Sequence, residues 1–143
     1  MQIASRLASA ACGTKLDPAR IIRDLARDGG GRADATLWFD AGAPLPAAVA
    51  AQVNAVASDA AASDDSDLRN IVHAGTPLTA ASLAIAERDG IDGEDVLRAM
   101  VLAYEAAGRI SAAISPGVSR TWVPRLSRRN LRRHRRIGIA ASP

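Results

Sequence analysis

The chain has 143 residues, enough for one domain with a modest core, and 48% of them are apolar although only 3% are aromatic. Its formal net charge of +3 combines two unlike parts, because residues 1–117 hold ten basic and fifteen acidic side chains, whereas residues 118–143 hold eight basic and none acidic. The single cysteine, Cys12, excludes an internal disulfide, and no apolar stretch reaches the roughly 18–20 residues of a membrane span, so we expect a cytoplasmic protein.

The first third of the chain predicts helices and one strand. Residues 2–11 form a short apolar segment, interpreted as the end of a helix. Asp17-Pro18 is typical of a helix start, with a capping side chain followed by proline in the first turn, and the glycines at 29–31 end that helix. Residues 35–39, Ala-Thr-Leu-Trp-Phe, are the strand-like run of this region.

The remainder of the chain predicts helices separated by a polar loop. A helix is expected over residues 46–62, a loop over 63–75, and a helix from the capping pair Thr76-Pro77 to Arg88. Asp92 or Gly93 begins the last helix, and Pro116 stops it. The apolar positions of that helix are spaced for one buried stripe, formed by Val96, Leu97, Met100, Val101 and Tyr104. The fold class is therefore mainly α, with three to four helices, one short strand and an irregular basic tail.

The polar loop concentrates the reactive side chains, namely Asp64, Asp65, Ser66, Asp67, Arg69 and His73. Carboxylates beside a histidine and a hydroxyl suit proton transfer, because proximity can move their pKa values toward neutrality. The alternative is an ordinary solvated loop between two helices. A metal site is disfavoured because one histidine with clustered aspartates lacks a defined ligand spacing.

Residues 35–110, from Ala-Thr-Leu-Trp-Phe to Ala-Ala-Gly-Arg-Ile, resemble part of the MmgE/PrpD family, and the likeness extends over about residues 20–117. That family includes 2-methylcitrate dehydratase, cis-aconitate decarboxylase and iminodisuccinate epimerase. Its pattern has an Asp-aromatic-Asp-Asp-Thr run, a His-Pro, an alanine-rich helix and a later Tyr-Glu helix. By position, the paired aspartates, the threonine, the histidine and the Tyr-Glu pair correspond to Asp64, Asp65, Ser66, His73 and Tyr104-Glu105.

The resemblance implies a role for each matched residue. His73 and Ser66 are expected to be catalytic, in a proton-transfer and substrate-binding wall, and Asp64, Asp65 and Arg69 are expected to bind substrate. The implied substrates are small di- or tricarboxylates, with no metal or organic cofactor, and the resemblance also implies a homodimer.

The sequence departs from the family pattern at three positions of this region. Ala62 stands where the first aspartate is expected, Ser63 replaces the aromatic residue, and Ala74 replaces the proline after the histidine. The resemblance implies an enzyme of two domains, several times longer than this chain. Its active site would lie between a large helical domain and a smaller α+β domain. We therefore expect residues 1–117 to be part of the helical domain, and this chain to be inactive by itself.

The basic tail, residues 118–143, does not continue the resemblance. The tail can be back-translated into a nucleotide sequence with permissible codons. When that sequence is translated one nucleotide out of frame, it encodes Gly-Phe-His followed by an alanine- and glycine-rich segment like the helix of the family pattern. We therefore interpret the tail as an out-of-frame product of one added base near Gly117. Two alternatives stay open: a standalone helical interaction module, and an arginine-rich arm that binds nucleic acid non-specifically through phosphate contacts.

Overall fold

The computed structural model describes residues 2–61 and 73–113, and these residues form five helices. Four of them are α1 (Gln2–Gly13), α2 (Asp17–Gly29), α3 (Ala47–Ala60) and α4 (Gly75–Asp89). The fifth, α5, takes in residues 93–113. The predicted mainly helical class is confirmed, although α1 is a helix in its own right and raises the number of helices above the three to four expected.

The predicted strand at 35–39 is wrong in its extent. Within the described ranges the only β pairing of this segment is an isolated antiparallel bridge, in which Ala35 and Leu45 exchange two backbone hydrogen bonds of 2.9 and 3.0 Å. Prolines 44 and 46 flank Leu45 and have no N–H to continue the ladder. In addition, Phe39 adopts a left-handed φ of 58°, which turns the chain out of the extended conformation.

Two helices start within one residue of the predicted capping side chain, and a third does not. At α2, Asp17 is the first helical residue rather than the cap, and its carboxylate pairs with Arg20 at 3.3 Å. At α5 the predicted start is confirmed, because the Asp92 carboxylate accepts a 3.0 Å hydrogen bond from the Asp95 amide. At α4 the predicted Thr76 cap is wrong: the N-cap is Ala74, and no side chain caps the helix.

Helix α3 is central and packs against α1, α2 and α4. The buried residues are largely alanines, with Leu37, Leu45 and Val53 as larger members of the principal cluster. Where α1 crosses α3, the two backbones are too close for any side chain on Gly13. A Cβ at this position would lie 1.9 Å from the Ala57 carbonyl oxygen of α3. The core therefore consists largely of alanines, and it depends on close backbone approach around one helix.

The apolar face of α5 is only partly covered. Val96 and Met100 are buried with Ala86, and Tyr104 packs beside them, but Leu97 and Val101 are 57% and 69% exposed. The predicted single buried stripe is therefore wrong at these two positions, because α1 and α4 contact only one side of a wide apolar arc. The helices of the described ranges include none long and apolar enough to cross a membrane.

Candidate functional site at the start of helix α4

The structure describes one of the five predicted site residues. His73 is exposed and lies two residues before α4. Asp64, Asp65, Ser66 and Arg69 fall within 62–72, outside the described residues. Their predicted roles and their proximity to His73 stay predictions.

The backbone next to His73 turns directly into the protein interior. Ala74, Gly75 and Thr76 are all buried, and the Ala74 carbonyl accepts the first bond of α4 from the Leu78 amide at 3.1 Å. The imidazole therefore stands at the surface immediately before a segment that is held inside. Ala74, which stands where the family pattern has proline, adopts helical backbone angles, with φ −85° and ψ −22°.

Beneath this segment lies a buried polar cluster contributed by three helices. It comprises Arg6, Ser58 and Thr76, which are at most 7% exposed, and the buried Ser9 and Thr79 lie on the same helices as Arg6 and Thr76. The Arg6 guanidinium donates to the Thr76 hydroxyl at 3.4 Å, and the Ser58 hydroxyl donates to the Arg6 carbonyl at 3.2 Å. The cluster joins α1 to the last turn of α3 and the first turn of α4.

Sequence reasoning missed this cluster. Arg6 lies within an apolar segment of the sequence, and an arginine there gives no sign of being buried. Its partner Thr76 is 70 positions away along the chain. The one available signal was an arginine on the face of α1 that also carries Ser9 and Ala10, both buried.

The matched Tyr-Glu pair has structural contacts in α5. Tyr104 packs against the cluster of Ala86, Val96 and Met100, and the exposed Glu105 accepts from Arg109 at 2.7 Å. In the described ranges these two residues stabilise α5 and its packing on α4.

The chemistry available at His73 is that of an exposed imidazole beside a helix N-terminus. The first amides of α4 and the Arg6 guanidinium both contribute positive potential to this region. Such an environment favours an anionic partner such as a carboxylate. No group of three or more His, Cys, Asp or Glu residues within 2–61 and 73–113 is placed to hold a metal ion.

The fold and this site define an all-helical domain with a histidine presented at a helix start. A family model, the MmgE/PrpD N-terminal domain, matches residues 3–125, and the chain belongs to the MmgE/PrpD family. The match begins earlier than the resemblance in the sequence suggested and includes Arg6. It also passes the expected boundary at Gly117 by eight residues. No curated protein and no solved structure gave a significant match to the chain.

Proposed function

We propose that this chain supplies the His73 wall of an MmgE/PrpD-type site that acts on small di- or tricarboxylates. The parent reaction is a 2-methylcitrate-dehydratase-like hydro-lyase step, or a related decarboxylation or epimerisation. The observation that carries the proposal is the family match over residues 3–125 together with the exposed imidazole at the start of α4.

In this proposal His73 exchanges a proton with the substrate, and Ser66 is its catalytic partner. An imidazole is suited to the task because its ordinary pKa lies near neutral pH, where it can both accept and donate a proton. Asp64, Asp65 and Arg69 orient the substrate, with Arg69 offering a paired hydrogen-bond donor to a carboxylate.

We also propose that the chain does not turn over substrate by itself, because a site between two lobes needs both. The proposal includes a cytoplasmic location, favoured by Cys12, which is an exposed free thiol and therefore suits a reducing compartment.

Comparing the chain as it stands with the restored reading frame tests this proposal. Removing one base before the Val118 codon is expected to open a family-like frame, and its product is expected to dehydrate 2-methylcitrate or decarboxylate cis-aconitate. The present chain is expected to leave both compounds unchanged. Turnover by the present chain that disappears in His73→Gln, or a restored frame that encodes no family-like segment, would contradict the proposal.

A second candidate, a helical interaction module, is favoured by the exposed apolar side chains of α5. Leu97, Val101, Leu102 and Ile110 are 57–71% exposed, and a helix that is apolar over so much of its surface usually packs against a partner. A homodimer through this helix is the simplest form of this candidate. Sedimentation of the chain across a range of concentrations distinguishes it from a monomer.

A further inference from the structure

We infer that Arg6 is a positioning residue for His73, acting from α1 through Thr76 on the first turn of α4. This inference deepens the proposed function and depends on it for its biological meaning. It assigns a role to a residue that lies outside the sequence region from which the site was predicted.

Arg6 contacts residues of both α3 and α4. Arg6 is 3% exposed, and its guanidinium donates to the Thr76 hydroxyl at 3.4 Å and to the Ser5 hydroxyl at 3.2 Å. Its backbone carbonyl accepts from Ser58, which is fully buried near the end of α3. One residue of α1 thus contacts both the helix that precedes segment 62–72 and the helix that follows it.

The stability of the folded protein does not explain a buried arginine at this position. Removing a guanidinium from water is costly, and an apolar residue of similar volume in its place is often neutral or stabilising. Moreover, Arg6 brings positive charge to the start of α4, where the helix dipole favours negative charge. The placement therefore points to a role in specifying the local arrangement.

Thr76 follows His73 by three residues and lies in the first turn of α4. Helix α4 has no side-chain cap, since Ala74 at the N-cap position has no group to donate or accept. The contact between Arg6 and Thr76 is accordingly a polar side-chain contact that holds the first turn to another helix. Fixing Thr76 restricts the backbone at residues 74 and 75, and so determines where the imidazole of His73 stands.

Histidine NMR of the chain provides the test, because it contains two histidines, His73 and His134. Their ring proton signals are assigned with a His134→Gln variant. In Arg6→Met and in Thr76→Val the His73 signal is expected to move by more than its linewidth, while His134 stays in place. The conservative variant Thr76→Ser is expected to keep the parent position, because it retains the hydroxyl that accepts from Arg6.

Arg20→Met serves as the matched control, since it removes an exposed arginine on α2 that pairs with Asp17. It is expected to leave the His73 signal unmoved. If Arg6→Met lowers the melting temperature but leaves the His73 signal in place, Arg6 is merely structural and the inference is wrong. An Arg6→Met variant that does not fold leaves the decision to Thr76→Val, which is nearly isosteric; an unmoved His73 signal there overturns the inference. Since turnover is not the readout, these results stand apart from those that test the proposed reaction.

Discussion

Replacing Gly13 by alanine is expected to destabilise the protein, although alanine is the better helix former. A Cβ at this position would lie 1.9 Å from the carbonyl oxygen and 3.0 Å from the carbonyl carbon of Ala57. Both atoms belong to the backbone of α3, so no rotation of a side chain can relieve the clash. Helix α1 would have to move away from the central helix.

The geometry gives the magnitude. Ordinary contact begins near 3.4 Å, so the two backbones must separate by about 1.5 Å at the point of closest approach. Overpacking of this kind costs about 1–3 kcal/mol and occasionally more, whereas the gain in helix propensity is about 0.5–1 kcal/mol. We expect a net loss of about 1–2 kcal/mol, which lowers the melting temperature of a 143-residue chain by roughly 3–7 °C.

Thermal and urea unfolding followed by circular dichroism measure this change, with Gly29→Ala as the matched control. Gly29 is the last residue of α2, and no atom lies within 4 Å of a Cβ built there. The control is expected to be neutral or slightly stabilising. Equal midpoints for Gly13→Ala and Gly29→Ala would refute the close approach of α1 and α3.

Three further predictions test other parts of the structure. Asn54→Ala is expected to cost about 1–3 kcal/mol in urea unfolding, because Asn54 is 2% exposed and makes two hydrogen bonds, of 2.9 and 3.0 Å, to the backbone of segment 35–45. The Arg88 hydrogen bond holds the pKa of Asp89 below its ordinary 3.8, so this contribution to stability exists above that pH and disappears as pH falls through the lowered value. Asp89→Asn should therefore lower the melting temperature slightly at pH 7, and this difference should shrink as the pH is lowered below 3.8. Val101→Ser removes a 69% exposed apolar side chain and is expected to reduce self-association in light scattering with little change in stability.

The sequence predicted those parts of the fold that depend on local signals. The bounds of α2 follow from Pro18 and from Gly30, which takes a left-handed φ of 59°, and the start of α5 follows from the Asp92 cap. Periodicity could not show which side of α5 would find a partner, because α1 and α4 contact only part of its apolar arc. The strand prediction failed because a strand depends on its neighbour, and the prolines around Leu45 prevent a longer ladder.

Only those residues of the candidate site that match the family pattern could be predicted from the sequence. His73 was found by position in the family pattern, and its place before α4 agrees with a helix expected after it. Arg6 was not found, because a contact with Thr76 across 70 residues exists only once three helices are packed. Long-range polar contacts leave no periodic trace in a sequence.

The kcat of the restored-frame protein, with and without His73, tests the central claim most directly. The account predicts that His73→Gln lowers kcat for 2-methylcitrate or cis-aconitate by about 10²–10⁴-fold, the range for loss of a general acid or base. The folded state is checked by an unchanged melting temperature. A His73→Gln enzyme that retains the parent kcat would contradict the claim that this histidine transfers the proton.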